Sequence, residues 1–340
     1  MDAIKKRTNS IDIFRYFCAV LVVVLHTELF LLEESTAVGV FLSYFVARIA
    51  VPFFFVVSGY FFFTKAFINK ASLRSVWKLI KVYAFWSVPY FFITIYVRIN
   101  AGVSLIMIVK RMLLEFFVIG SYYHFWFFPV LIYSTLIVYA IYKRCGFKTL
   151  VVVSVLLYLV SCAGTSYSQA FAEIPLLSSF FNTDYFTTIS RFCTGIPFIV
   201  LGGLVAKARG RIAFNNNATE ILWLVVAVLA YVAEKCLLIL IKWPIHHPNT
   251  IMLFPLVAVV VMILLNHPLE GKEKIAQKSR VCANFIYYVH PAFLLISERV
   301  VSAVLHIRLS SAMNFILTVI VLTIMGLIFN KISFLRKLLS

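Results

Sequence analysis

Charge is scarce in this chain. Of its 340 residues only 13% are Asp, Glu, Lys or Arg, about half the share of a soluble domain, so a solvated globular fold is excluded at the outset. The six cysteines (Cys18, Cys145, Cys162, Cys193, Cys236, Cys282) are scattered with no paired spacing, which argues against a disulfide framework or a zinc site. Internal repeats and low-complexity tracts are absent. "GGLVAKARG" has neither the spacing nor the preceding strand of a phosphate loop. Serine nucleophile elbow, zinc-binding helix and kinase signatures are missing as well. Neither a resident cofactor nor a metal is expected.

Apolar sequence fills the remainder. Hydrophobic residues make up 63% and the mean hydropathy is +0.99. Apolar runs of about 18 or more residues recur from end to end, as membrane spans require. Backbone in lipid is satisfied only in helices or closed barrels. The runs are too long and too uniformly apolar for barrel strands, which alternate over about ten residues. The predicted fold is therefore all-α, a polytopic bundle of about ten helices: 11–31, 38–63, 77–97, 125–142, 149–163, 190–206, 219–241, 250–266, 283–304 and 311–330. A single membrane domain over 1–340 is expected, with no soluble domain. The segment 103–119 carries Lys110, Arg111 and Glu115 and reads as interfacial or re-entrant. The N-terminus mimics a secretory signal, but Asp12, Arg15 and His26 interrupt the apolar stretch and no small-residue cleavage site follows, so it is read as a retained first span.

The net charge of +18 would point to nucleic acid in a soluble protein. Here the cations fall in alternate loops instead. Lys5, Lys6 and Arg7, then Lys65, Lys70, Arg74, Lys78 and Lys81, then Lys143, Arg144 and Lys148, then Lys207, Arg209 and Arg211, then Lys272, Lys274, Lys278 and Arg280, and finally Lys331, Arg336 and Lys337 share one side of a ten-span bundle. By the positive-inside rule that side, with both termini, is cytoplasmic. Glu28, Glu33, Glu34, Glu173, Asp184, Glu234 and Glu298 lie opposite. Membrane lipid, not nucleic acid, is the expected partner of the surface.

Ionisable residues inside spans are functional candidates by default. Arg15 and His26 are three helical turns apart, on one face and about 16 Å apart along the axis. Asp12 sits on that face within pairing distance of Arg15. Taken singly, Arg15 snorkels and His26 sits at the outer interface; together with Asp12 they read as stations of one cavity. Arg48, near the middle of span two, needs a partner or a wet cavity. Pro52 kinks that helix, and Ser58 and Gly59 either permit close packing or open a ligand path. His124 opens "HFWFFP" at the outer mouth of span four, Arg191 opens span six on the outer side, and His290 sits mid-span before Pro291. Arg74, Lys78 and Lys81 share one helical face suited to phosphates, or are ordinary positive-inside charge. The neighbours His246 and His247 are a weak metal signal.

"IDIFRYFCAVLVVVLHT", with Asp, Arg and His in the order Asp12, Arg15, His26, resembles the first span of the membrane acyltransferase 3 family. "VPFFFVVSGYFFF", "HFWFFPVLI", "GIPFIVLGGLVAK" and "NFIYYVHPAF" resemble its later blocks in order. The resemblance implies transfer of an acyl group, usually acetyl, from cytoplasmic acyl-CoA (acetyl-CoA) to a hydroxyl of an extracytoplasmic glycan or lipid-linked saccharide, in the bacterial cytoplasmic membrane. It implies His26, Arg15 and Asp12 as catalytic, and Arg74, Lys78, Ser58 and Tyr60 as donor-binding. Arg48, His124, Arg191 and His290 fall to the acceptor or cavity. "ARIAVPFFFVVSGYF" is also similar to the membrane half of vancomycin-resistance serine racemases, which implies a transport-like alternative.

Overall fold

The computed structural model describes residues 8–27, 37–68, 73–209, 217–306 and 309–332. Lys5, Lys6, Arg7, Glu28, Glu33, Glu34, Lys70, Arg211, Arg336 and Lys337, with both termini, lie outside the described residues. The chain is built of helices: α1 (Asn9–His26), α2 (Ala37–Phe41), α3 (Ala50–Ala66), α4 (Arg74–Asn100), α5 (Leu105–Leu114), α6 (Phe127–Ala163), α7 (Pro175–Phe181), α8 (Asp184–Ala208), α9 (Asn217–Leu240), α10 (Leu253–Asn266), α11 (Glu273–Leu305) and α12 (Ser311–Lys331). No strand occurs among the described residues. Among the described residues seven helical segments are long and apolar enough to cross a bilayer, so the chain is a polytopic membrane helical protein. α10, with 14 residues, is shorter than that.

α6 covers two of the expected spans, 125–142 and 149–163, and it is not one straight rod. Val130 packs where Gly195 of α8 lacks a side chain, and Ser161 Oγ lies 3.1 Å from Oγ1 of Thr194. A straight helix would hold residues 130 and 161 about 46 Å apart, yet both meet adjacent residues of α8. The chain reverses at Gly146 (φ 79°, ψ 175°), a conformation that is essentially open to glycine alone. The segment is thus a helical hairpin with Lys143, Arg144 and Lys148 around its tip.

α3 and α8 pack with backbone against backbone. A Cβ on Gly59 would stand 2.0 Å from the Ile199 carbonyl oxygen, and one on Gly202 would stand 2.2 Å from the Val56 oxygen. Small residues let helices approach this closely in membranes, where van der Waals packing holds them together. Gly59 therefore serves packing and does not open a ligand path. α1 lies along α11, and α11 along α12. Polar ties cross both contacts: Asn9 Nδ2 donates to Glu273 Oε1 at 3.3 Å, and Ser297 Oγ donates to Asn314 Oδ1 at 3.0 Å.

The stretch 103–119 re-enters the bundle. α4 ends at Asn100, but Tyr83, about 25 Å back along its axis, donates from its hydroxyl to Phe116 O at 2.8 Å. Ser121 N then donates to that same hydroxyl at 2.9 Å, and the Ser87 and Ser121 hydroxyls meet at 2.6 Å. Arg98 closes the loop above with a 2.5 Å ion pair to Glu115. The irregular backbone of 120–126 consequently lies at the middle depth of α4. Non-helical backbone at that depth is tolerated only where protein buries it or where it lines a cavity.

Outward-facing positions are apolar. On α12, Met313, Ile316, Ile320, Ile324 and Ile328 are exposed while Thr318, Leu322 and Gly326 face inward. This inversion of the usual pattern is what lipid as solvent selects.

Candidate active site

Three histidines from three elements meet. His26 ends α1, His124 lies in the re-entrant segment and His290 in α11. The His26 and His290 ring centroids are 5.2 Å apart, those of His124 and His290 5.1 Å. Tyr123 stands 5.0 Å from His26, and Tyr90 5.1 Å from His124. His124 is thus not at the bundle's mouth, as the sequence suggested, but 2% exposed at mid-depth. The re-entrant fold carries it there. Both of its ring nitrogens are buried without a hydrogen-bond partner.

Proline sets the state of His290. Pro291 has no N–H to donate to the carbonyl four residues back, that of Tyr287. His290 Nδ1 is 3.1 Å from this carbonyl and 2.9 Å from that of Ile286. Two carbonyl acceptors place the proton on Nδ1, leaving Nε2 as a bare acceptor. Nε2 is buried without a hydrogen-bond partner.

A cavity of about 260 Å³ lies on the Arg15 side of these histidines. It is lined by Arg15 from α1, Ser58 from α3, Lys78 from α4, Phe127 from α6, and Asn284 and Tyr287 from α11, among others. Tyr287 also donates to His124 O at 2.9 Å, so one side chain forms the wall between the cavity and the histidines. Two cations in the lining, aromatic walls, and imidazoles beyond Tyr287 suit a slender molecule with an anionic head and a reactive tip.

Arg15 is held, not free. Its Nη1 is 3.3 Å from Asp12 Oδ1, and Arg280 reaches the other Asp12 oxygen at 3.0 Å. A carboxylate between two guanidiniums orients both and offsets part of their buried charge. Arg15 bonds Asp12 rather than His26, in keeping with the separation expected along α1. Ser58 and Lys78 join Arg15 at the cavity. Arg74 and Tyr60 are not among its lining residues; the Tyr60 hydroxyl instead accepts from Arg209 at the end of α8. Arg191 lies apart as well, over the Trp126 ring at 5.2 Å, with Nη1 3.4 Å from Ile119 O.

Arg48 sits on irregular helix, a π-helical turn at Leu42–Val46 followed by a 3₁₀ turn at Ala47–Ile49. Pro52 cannot donate to the Arg48 carbonyl, which favours the tighter turn. The guanidinium folds back over Tyr44, 5.6 Å from its centroid. Its Nε is buried with no hydrogen-bond partner. Among the described residues no group of three or more His, Cys, Asp or Glu side chains could hold a metal ion.

Sequence reasoning passed over Arg280, Asn284, Tyr287 and Lys235. Arg280 had been counted only as loop charge, and Tyr287 is one aromatic among 56 Phe, Trp and Tyr residues in the chain. Lys235, a cation inside the apolar run "LAYVAEKCLLIL", was legible by the same rule that picked out Arg48.

Comparison with known proteins follows this geometry. An amino-acid racemase of Enterococcus faecalis is 29% identical over 335 residues, covering 93% of this chain and 45% of that protein. A serine/alanine racemase of Enterococcus gallinarum is 26% identical over 331 residues, covering 94% and 45%. The chain therefore spans less than half the length of these curated relatives. No solved structure matches it. The sequence model of the acyltransferase domain family, type 3, matches residues 8–330, and the chain belongs to that family.

Proposed function

We propose that this protein is a membrane O-acyltransferase that takes an acyl group, acetyl in the first instance, from acyl-CoA and places it on a hydroxyl of a glycan across the bilayer. The observation that carries this reading is the arrangement of one cavity, with Arg15 and Lys78 in its lining and the histidines just beyond Tyr287. Arg15 and Lys78 hold the anionic part of the donor, and the thioester-bearing arm runs toward Tyr287. A ring nitrogen of His26 takes the proton of the acceptor hydroxyl as its oxygen attacks the thioester carbonyl. The tetrahedral intermediate collapses, the C–S bond breaks, and the departing thiolate takes the proton back from the imidazolium. His290 packs against His26, and His124 packs against His290.

The test is acyl transfer from radiolabelled acetyl-CoA to the glycan fraction of membranes carrying the chain. His26→Ala is expected to lower transfer at least ~100-fold while expression and membrane insertion stay unchanged. Transfer at the wild-type rate in that variant would remove His26 from the mechanism. A second reading, uptake of a small amino-acid-like solute, is favoured by the racemase names of the relatives that match 93% and 94% of the chain. Uptake into proteoliposomes in the absence of any acyl-CoA supports it against the enzyme.

A further inference from the structure

On the side of His26 away from the cavity, positive charge collects without a paired acid among the described residues. α9 docks on the second span through Tyr231, whose hydroxyl donates to Phe45 O at 3.1 Å. One turn further along α9, Lys235 is completely buried. Its ammonium donates to the carbonyls of Ile245 and His247 at 3.1 and 3.3 Å. Arg48 reaches outward to the same level by folding over Tyr44, and it lies within electrostatic range of Lys235, His246, His247 and His26. The acid within electrostatic range among the described residues, Glu234, is already committed. Its two oxygens accept from the backbone N–H groups of Ile251 and Met252 at 2.7 and 2.9 Å and from the Tyr167 hydroxyl.

Neither cation has a carboxylate partner among the described residues. A buried charge of this kind is retained only where something compensates it. Snorkelling does not account for Lys235, because its ammonium bonds protein carbonyls and no part of the residue is exposed. Burial and the neighbouring His246, Arg48 and Lys235 push His247 down to about 4, so its ring stays neutral beside them. The cluster has two cations, one of them a planar fork with an unpartnered Nε, the arrangement that recognises a carboxylate or phosphate.

We propose that Arg48 and Lys235 form an oxyanion site next to the histidines, and that the molecule reaching His26 carries a carboxylate or phosphate group besides its hydroxyl. This rests on the acyl-transfer reading and names its acceptor class: a sugar acid, a hydroxy acid or a phosphosugar rather than a neutral sugar. The anion docks at Arg48, which aims the hydroxyl at His26. The lipid-facing surface takes no part.

Equilibrium dialysis on the full chain in lipid nanodiscs tests this with radiolabelled glucuronate, glucose 6-phosphate, inorganic phosphate and glucose. At least one of the anions is expected to bind, and glucose not. Glucuronate alone identifies a carboxylate ligand; glucose 6-phosphate, with or without phosphate, identifies a phosphorylated one. Arg48→Gln and Lys235→Met should each weaken anion binding roughly 30-fold or more, with Arg48→Lys recovering part of it. Retained acetyl-CoA binding, at the separate Arg15 cavity, certifies that a variant is folded. Equal binding of glucose and glucuronate by the unmodified chain, or anion binding unchanged in both variants, overturns the site. Anion binding with no acyl transfer to any of these compounds sinks the enzyme reading and leaves the site standing. Transfer to glucose as fast as to glucuronate, unchanged by Arg48→Gln, does the reverse.

Discussion

At the scale of single residues, the chemistry depends on hydrogen bonds that proline removes. Pro291 frees the Tyr287 carbonyl and His290 Nδ1 takes it up, which fixes a tautomer without any side-chain partner. Pro52 stands in the same relation to Arg48. Asp12 shows the complementary logic. It accepts from Arg15 and Arg280 at once, and both guanidiniums are largely buried, at 24% and 15% side-chain exposure. Asp12→Ala leaves two uncompensated charges and is expected to cost about 3–5 kcal/mol, read as a lowered Tm in detergent. Arg15 would also lose its aim at the cavity, so the KM for acyl-CoA should rise in the residual folded protein. An unchanged KM would mean that Asp12 serves folding alone.

At the scale of elements, two devices place the site. One is the close pairing of α3 and α8, which brings Ser58 to the cavity wall and leaves no room for any side chain at Gly59 or Gly202. Gly202→Val must push the two backbones apart. It is expected to destabilise by about 3 kcal/mol or more, measured by thermal unfolding followed by size exclusion. A wild-type Tm would contradict the packing. The other device is the re-entrant segment. α5 with its following turn was legible as something other than a span, since Lys110, Arg111 and Glu115 interrupt it. That it descends to Tyr83 and delivers His124 to mid-depth depended on hydrogen bonds between residues 33 to 38 positions apart, which no local pattern encodes.

At the scale of the whole molecule, the bundle turns its apolar surface outward and gathers its ionisable groups within. The hairpin in α6 has a direct consequence for how the chain lies in the bilayer. Residues 127–145 and 147–163 run in opposite directions along α8, so their junction lies at one membrane face and both far ends at the other. With Cys145, which is exposed, as the sole cysteine, a membrane-impermeant maleimide should label inverted vesicles and spare intact cells. A cysteine at Glu173 should show the opposite pattern. Labelling of both from one side would break the hairpin topology.

Composition and periodicity sufficed for the membrane class, the helical architecture and most of the ionisable candidates, because an apolar solvent leaves few backbone solutions and makes every buried charge conspicuous. The spacing of Asp12, Arg15 and His26 on one face followed from helix geometry alone. What the amino-acid order did not specify was which candidates meet. Arg15, Ser58 and Lys78 share a cavity while Arg74 and Tyr60 do not; His124 and His290 join His26; Lys235 comes to Arg48. These are contacts between helices far apart in sequence. Helix register and depth are set by close side-chain packing, by the glycines that let backbones touch, and by the few interhelical hydrogen bonds that lipid makes costly to break. Only the tertiary structure brings those together.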